Sequence, residues 1–125
     1  MWGCPGETVM RGTVVPQEYA PSPIDDIIEL RGVEGAFEIT EDGFLLRAVQ
    51  SCTKDPEAVA AAIATAMRLW QQIGMQLDLG SVRWLLLEFG DGKMIIGYTG
   101  GRMIVVFGSP RMIDGEVLAQ LHPEA

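Results

Sequence analysis

The stretch from Pro56 to Ile73 contains no glycine and, after its first residue, no proline. Nothing in it interrupts a helix. At about 1.5 Å per residue such a helix is roughly 27 Å long. Asp55-Pro56-Glu57 supplies a capping side chain, a proline at the first helical position and an acid favoured by the helix dipole. Gly74 reads as its stop. The rest of the chain must provide what this helix packs against.

Its faces differ. At about 100° per residue, Val59, Ala62, Ile63, Ala66, Trp70 and Ile73 fall on one side, with Met67 and Leu69 at its margins. That apolar stripe is expected to face the core, and Trp70 is expected to be packing. The opposite side collects Glu57, Ala61, Ala64, Thr65, Arg68, Gln71 and Gln72. A solvent face usually carries Lys, Glu and Arg in helical pairs. Small residues with few charges suggest instead that a second protein surface approaches there. The competing reading is that Ala58 and Ala60 to Ala62 are simply good helix formers.

Before the helix, Ser22-Pro23 offers an N-cap and a first-turn proline, and Ile24, Ile27 and Ile28 form one apolar stripe of a short helix that Gly32 ends. Glu34 to Thr40 reads as a strand, Asp42-Gly43 as a hairpin turn, and Phe44 to Ala48 as the returning strand. After the helix, Val82–Phe89, Lys93–Tyr98 and Arg102–Phe107 are apolar runs ended by glycine-bearing turns, the pattern of an antiparallel meander. Leu85-Leu86-Leu87 and Met103 to Phe107 are apolar at consecutive positions, so both faces of those strands should be covered. Met112 to Leu121 is weakly helical despite Gly115. These elements predict an α/β (α+β) domain in the order α-β-β-α-β-β-β-α, built on a five-stranded antiparallel sheet covered on both faces.

A chain of 125 residues fits one such domain. Residues 22–125 form it, and residues 1–21, punctuated by Gly3, Pro5, Gly6, Gly12, Pro16 and Pro21, read as a flexible or loosely docked extension. The net charge is −8, and the nine Lys and Arg residues are scattered singly, which excludes a nucleic-acid partner. The longest apolar stretch, Ala58 to Ala64, is far short of a membrane span. No basic-then-apolar leader is present, and Cys4 and Cys52 stand in unrelated contexts. A cytoplasmic protein with two free thiols is expected.

Val82 to Leu87 follows the long helix directly and could form either an exposed edge strand or a shielded central one. As an edge it would invite pairing with a second copy, and Trp84 would then anchor that contact; as a central strand Trp84 would pack in the core.

Gly32-Val33-Glu34-Gly35-Ala36 followed by Asp42-Gly43, the long alanine-rich helix, Leu79-Gly80, the strand ending Leu87-Glu88-Phe89, and the closing Ser109-Pro110 with Gly115 together resemble the Roadblock family, named for a dynein light chain. The resemblance runs from about Ile24 to Leu121. It implies a sandwich with the long helix on one sheet face and two short terminal helices on the other. It also implies a homodimer in which the third strands pair across a two-fold axis and the long helices lie side by side. Ala60, Ala64, Val82, Trp84 and Leu86 would sit at that dimer interface. In bacterial relatives the paired helices form a platform for a small Ras-like GTPase, and some such domains stimulate its hydrolysis. Carried onto this chain, the platform would be Ala61, Thr65, Arg68 and Gln72. The short final helix and the N-terminal extension depart from the family pattern.

No catalytic constellation emerges, and no cofactor or metal is implied. Gly97-Tyr-Thr-Gly-Gly-Arg102 lacks the Lys-Ser/Thr of a phosphate-binding loop and lies between strands. Glu41-Asp42-Gly43 lacks the alternating ligands of a calcium loop. Ser22, Ser51, Ser81 and Ser109 stand in no nucleophile motif, and His122 is terminal. The expected function is therefore a non-catalytic regulator or scaffold that docks a GTPase. The alternative is a small-molecule sensor, in which the seven methionines could line an adaptable pocket, or a dynein-like adaptor without a GTPase partner.

Overall fold

The computed structural model describes residues 24–49, 55–99 and 101–121. The N-terminal extension, the Ser22-Pro23 cap, both cysteines and His122 lie outside them. The elements are α1 (Ile24–Ile27), β1 (Val33–Thr40), β2 (Leu45–Val49), α2 (Pro56–Gln76), β3 (Trp84–Phe89), β4 (Gly92–Thr99), β5 (Arg102–Gly108) and α3 (Asp114–Leu121). Type and order follow the sequence expectation throughout.

The five strands form one antiparallel sheet in the order β2-β1-β5-β4-β3. The outer strands are therefore β2 and β3, and α2 is the crossover that carries the chain from one edge to the other. Alternation along β1 and β5 divides the core into two layers. Ala36, Ile104 and Val106 point to one face, where they pack with Ile24 and Ile27 of α1, Met112, and Val117 and Leu121 of α3. Phe37, Ile39, Met103 and Val105 point to the other and pack under Ala60, Ile63, Ala64 and Met67 of α2. Phe37 and Phe107 meet edge to face with centroids 5.3 Å apart, a geometry the ring quadrupoles favour.

Covering both faces succeeds in β5 and fails in β3. Met103 to Val106 are fully buried, whereas β3 is half-buried at Leu85, Leu86 and Leu87 and exposed at Trp84, Glu88 and Phe89. An outer strand has a neighbour on one side only, and no described helix extends fully over it.

The layer facing α1 and α3 also holds an ion pair. The Arg102 guanidinium donates to Glu38 Oε2, with both side chains almost wholly inaccessible. Arg47, paired in register with Glu38, reaches Asp25 at 2.5 Å at the protein surface.

The start of α2 follows its sequence signature. Asp55 accepts a 3.1 Å hydrogen bond from the Ala58 backbone N–H, and Pro56 occupies the first turn. Its end does not. The helix continues past Gly74 to Gln76 and closes in a Schellman arrangement, with Asp78 N–H donating to Met75 O and Leu79 N–H to Gly74 O. Asp78, not a glycine, takes the left-handed conformation at φ 59°, which Asp tolerates better than most residues. Gly74 is needed for packing instead, because a Cβ there would collide with the Gly80 carbonyl oxygen.

Candidate interaction surface

Helix α2 has three faces. Ala60, Ile63, Ala64, Met67 and Gly74 are buried on its own sheet. One exposed flank is apolar and carries Ala62, Ala66, Leu69, Trp70 and Ile73. The other is polar and carries Ala61, Thr65, Arg68 and Gln72. The buried face is thus turned by about 95° from the apolar stripe expected from the sequence, counting 100° per residue. Ile63 belongs to both, while Ala62, Ala66, Trp70 and Ile73 lie outside. Trp70 is 42% exposed and Leu69 57%.

The cause is how close the helix sits on the sheet. A Cβ built at Gly43, in the β1–β2 turn, would come within 3.1 Å of Ala64 Cβ. Only small residues fit at that contact, so the alanine face goes down and the bulkier apolar flank is left outside. This corrects two dimer-interface expectations: Ala60 is 0% exposed and Ala64 1%, both against the protomer's own core, where a second chain cannot reach them. Val82 lies before β3 begins, is half-buried, and packs against the α2-side core. Leu86 is half-buried against the opposite core. Trp84, 43% exposed, stands on the open outer strand, which removes the central-strand alternative.

Leu69, Trp70 and Ile73 are the residues that sequence reasoning misplaced, although their helical spacing marked them as apolar. Of the ten large apolar side chains exposed among the described residues, all but Phe44 and Ile113 fall between Leu69 and Phe89. Scattered exposed apolar side chains are ordinary on protein surfaces. Concentration in one stretch, spanning the outer flank of α2, the loop after it and the outer strand, makes this the candidate interaction surface. Leu85 and Leu87 pair with Ile96 and Met94, which pack in the α2-side layer. They and Phe89 therefore emerge on the same sheet face as α2.

The four residues expected to form the platform do share one face. Thr65 Oγ1 donates to the Ala61 carbonyl at 3.0 Å, and Arg68 Nη2 donates to Thr65 Oγ1 at 3.5 Å. These contacts hold one guanidinium nitrogen against the helix, and Arg68 is otherwise exposed. Next to Arg68 the surface sinks into an open cavity of about 580 Å³, whose polar lining is Glu41, Asp42, Arg68, Gln71, Ser81 and Tyr98. Gln71 fixes one wall, its Oε1 accepting from the Val82 backbone N–H at 2.8 Å. Acidic residues of the β1–β2 turn thus line one groove together with a cation from α2, over a floor that includes Met67 and Met103. Among the described residues no three His, Cys, Asp or Glu side chains converge to hold a metal ion. No described helix is long and apolar enough to cross a membrane.

Solved structures share this architecture. A Roadblock/LC7 domain from Streptomyces avermitilis superposes with a TM-score of 0.72 at 13% identity, covering 81% of this chain and 87% of that one. MglB of Myxococcus xanthus gives 0.73 at 16% identity, covering 81% and 84%. The gliding protein MglB of Thermus thermophilus gives 0.71 at 13%, covering 86% and 89%. At these identities the likeness speaks for the fold alone. No curated protein matches the chain. Residues 24–107 match the Roadblock/LC7 domain family, two-thirds of the sequence and every element except α3, and the chain belongs to that family.

Proposed function

We propose that the protein is a non-catalytic, cytoplasmic regulator or scaffold that works as a homodimer and docks a small Ras-like GTPase. The observation that carries this reading is the division of α2 into an apolar and a polar exposed flank beside an open outer strand. An apolar flank with an unpaired strand suits a permanent contact with a second copy. Two β3 strands pairing around a two-fold axis would satisfy each other's free backbone groups, and Leu69, Trp70, Ile73 and Trp84 would lose their exposure. A polar flank with one outward arginine suits a partner that comes and goes, since transient interfaces are more polar than permanent ones.

The GTPase identity rests on the resemblance to bacterial Roadblock regulators and on the similarity to MglB proteins. On this chain its platform is Ala61, Thr65, Arg68 and Gln72. Docking there would act by population shift, stabilising one arrangement of the GTPase's own switch loops through differential contacts. Arg68 acting in trans on the transition state is the competing mechanism.

The test is capture from lysate of the source organism by immobilised protein, once with a GTP analogue and once with GDP, followed by mass spectrometry. A small GTPase retained mainly with the GTP analogue, and lost on Arg68→Glu, supports the reading. If no GTPase is held in either nucleotide state, or if Arg68→Glu leaves retention unchanged, the platform assignment is wrong.

A further inference from the structure

The far end of the sheet carries a feature unrelated to α2. Val33 at the start of β1 faces Gly108 at the end of β5, while the Arg68 cavity is lined by Glu41, Asp42, Tyr98 and Met103, at the opposite end of the same strands. At the Val33–Gly108 end the α1–β1 turn and the β5–α3 loop are in backbone contact. The Ser109 N–H donates to the Gly32 carbonyl at 2.9 Å. A Cβ at Gly32, whose φ is +84°, would come within 2.6 Å of the Met112 backbone nitrogen. The approach is possible only because glycine stands there.

This contact brings Arg31 and Arg111, far apart in sequence, to the rim of one open cavity of about 730 Å³, which they line together with Gly32 and Ser109. Both arginines are exposed. Neither forms an ion pair among the described residues, in a chain with 17 acidic and nine basic residues. Of the other cations, Lys93 stands beside them in register with Gly108. It holds Asp114 at 3.1 Å and the Met112 carbonyl at 3.1 Å. The carboxylate nearest in sequence to Arg111 is therefore already neutralised. Ser109 Oγ accepts from the Arg111 backbone N–H at 3.2 Å, which leaves the hydroxyl proton available to donate outward.

We propose that Arg31, Ser109 and Arg111 form a binding site for a phosphate-class oxyanion. Two guanidinium forks carry donors and no acceptor, the hydroxyl adds one further donor, and guanidinium matches phosphate oxygens bidentately. A phosphate group carries about −1.5 to −2 charge near neutral pH, which two arginines balance. A carboxylate would leave one arginine unused. The site lies away from α2, so it stands whether or not a GTPase docks there.

Titrating the purified full chain with inorganic phosphate and with phenyl phosphate at low ionic strength, read by amide chemical shifts, tests this. Saturable shifts should appear at Gly32, Ser109 and Arg111 and be absent around Arg68. Arg31→Gln and Arg111→Gln should each weaken binding about tenfold, the effect of losing roughly 1.4 kcal/mol of charge-assisted hydrogen bonding. The double variant should lose it, with an otherwise unchanged spectrum as the check on folding. Response to both ligands assigns the site to monoester groups, and response to inorganic phosphate alone assigns it to the free anion. The proposal is overturned if neither saturates, if acetate at equal ionic strength produces the same shifts, or if the double variant binds undiminished.

Discussion

The two outer strands of the sheet are treated in opposite ways. β2 is short, its register with β1 slips between Glu38 and Ile39, and it ends in buried Ala48 and Val49. Arg47 stands in its middle, tied to Asp25 of α1. A bulge and a basic residue are two devices by which proteins keep an edge from templating another chain. β3 has neither. It pairs with β4 in unbroken register from Trp84 to Phe89, its one charge is Glu88, and it leaves Trp84 and Phe89 exposed. One sheet therefore has a closed edge and an open one. The open edge is reached directly from α2, whose apolar flank is also uncovered. An edge left open beside an apolar helix flank has the two features that the proposed contact with a second copy requires.

The largest predicted effect comes from the layer between the edges. Arg102 on β5 pairs with Glu38 on β1, both inaccessible. Arg102→Met would leave a buried carboxylate without its countercharge, which typically costs about 3–5 kcal/mol. Denaturant unfolding should show a loss of that size, and a loss under about 1 kcal/mol would mean that water reaches Glu38. Replacing both, as Glu38→Leu with Arg102→Met, should recover most of it, since apolar side chains of similar volume often substitute for a buried pair at little cost.

Next is the open edge itself. Trp84→Lys puts on β3 the kind of guard that β2 already has. Losing a central aromatic contact typically costs about 2 kcal/mol or more, so self-association measured by sedimentation equilibrium should weaken by about thirtyfold. Leu46→Lys, which adds a second charge to the closed edge, should leave association unchanged. Equal effects of the two would abolish the distinction between the edges. Gly74→Ala follows in size. Forcing a Cβ against the Gly80 carbonyl should cost about 1–3 kcal/mol, as overpacking does, and should disturb the loop that leads into β3.

Element types and order were legible because the signals were local. Asp55-Pro56 capped α2, glycine-bearing turns divided the meander, and consecutive apolar residues in β5 announced burial on both faces. The rotation of α2 was not. Two apolar stripes run along that helix, one of small residues around Ala60 and Ala64 and one of larger residues around Trp70, and periodicity cannot say which is inside. Contact with Gly43 decides it, and that residue lies outside the helix in sequence. The end of α2 was misread for a related reason: Gly74 has the composition of a helix stop, but its role is close packing against Gly80. The Arg31–Arg111 pair was invisible because only the register of β1 with β5 brings those loops together.

The smallest predicted effect sharpens the comparison most. Arg47 and Asp25 are 28% and 66% exposed, and pairs of that kind contribute about 0.2–1 kcal/mol. Arg47→Ala should therefore barely move the unfolding midpoint. What it should change is the closed edge. Without the guanidinium, β2 keeps its bulge but loses its charge, so the two guards can be separated. If charge is the principal guard, Arg47→Ala in a Trp84→Lys background should restore concentration-dependent association, now through β2. If the bulge suffices, that double variant should stay monomeric at the same concentrations in sedimentation equilibrium. The ion pair would then matter only for anchoring α1, and the difference between the edges would reside in backbone shape.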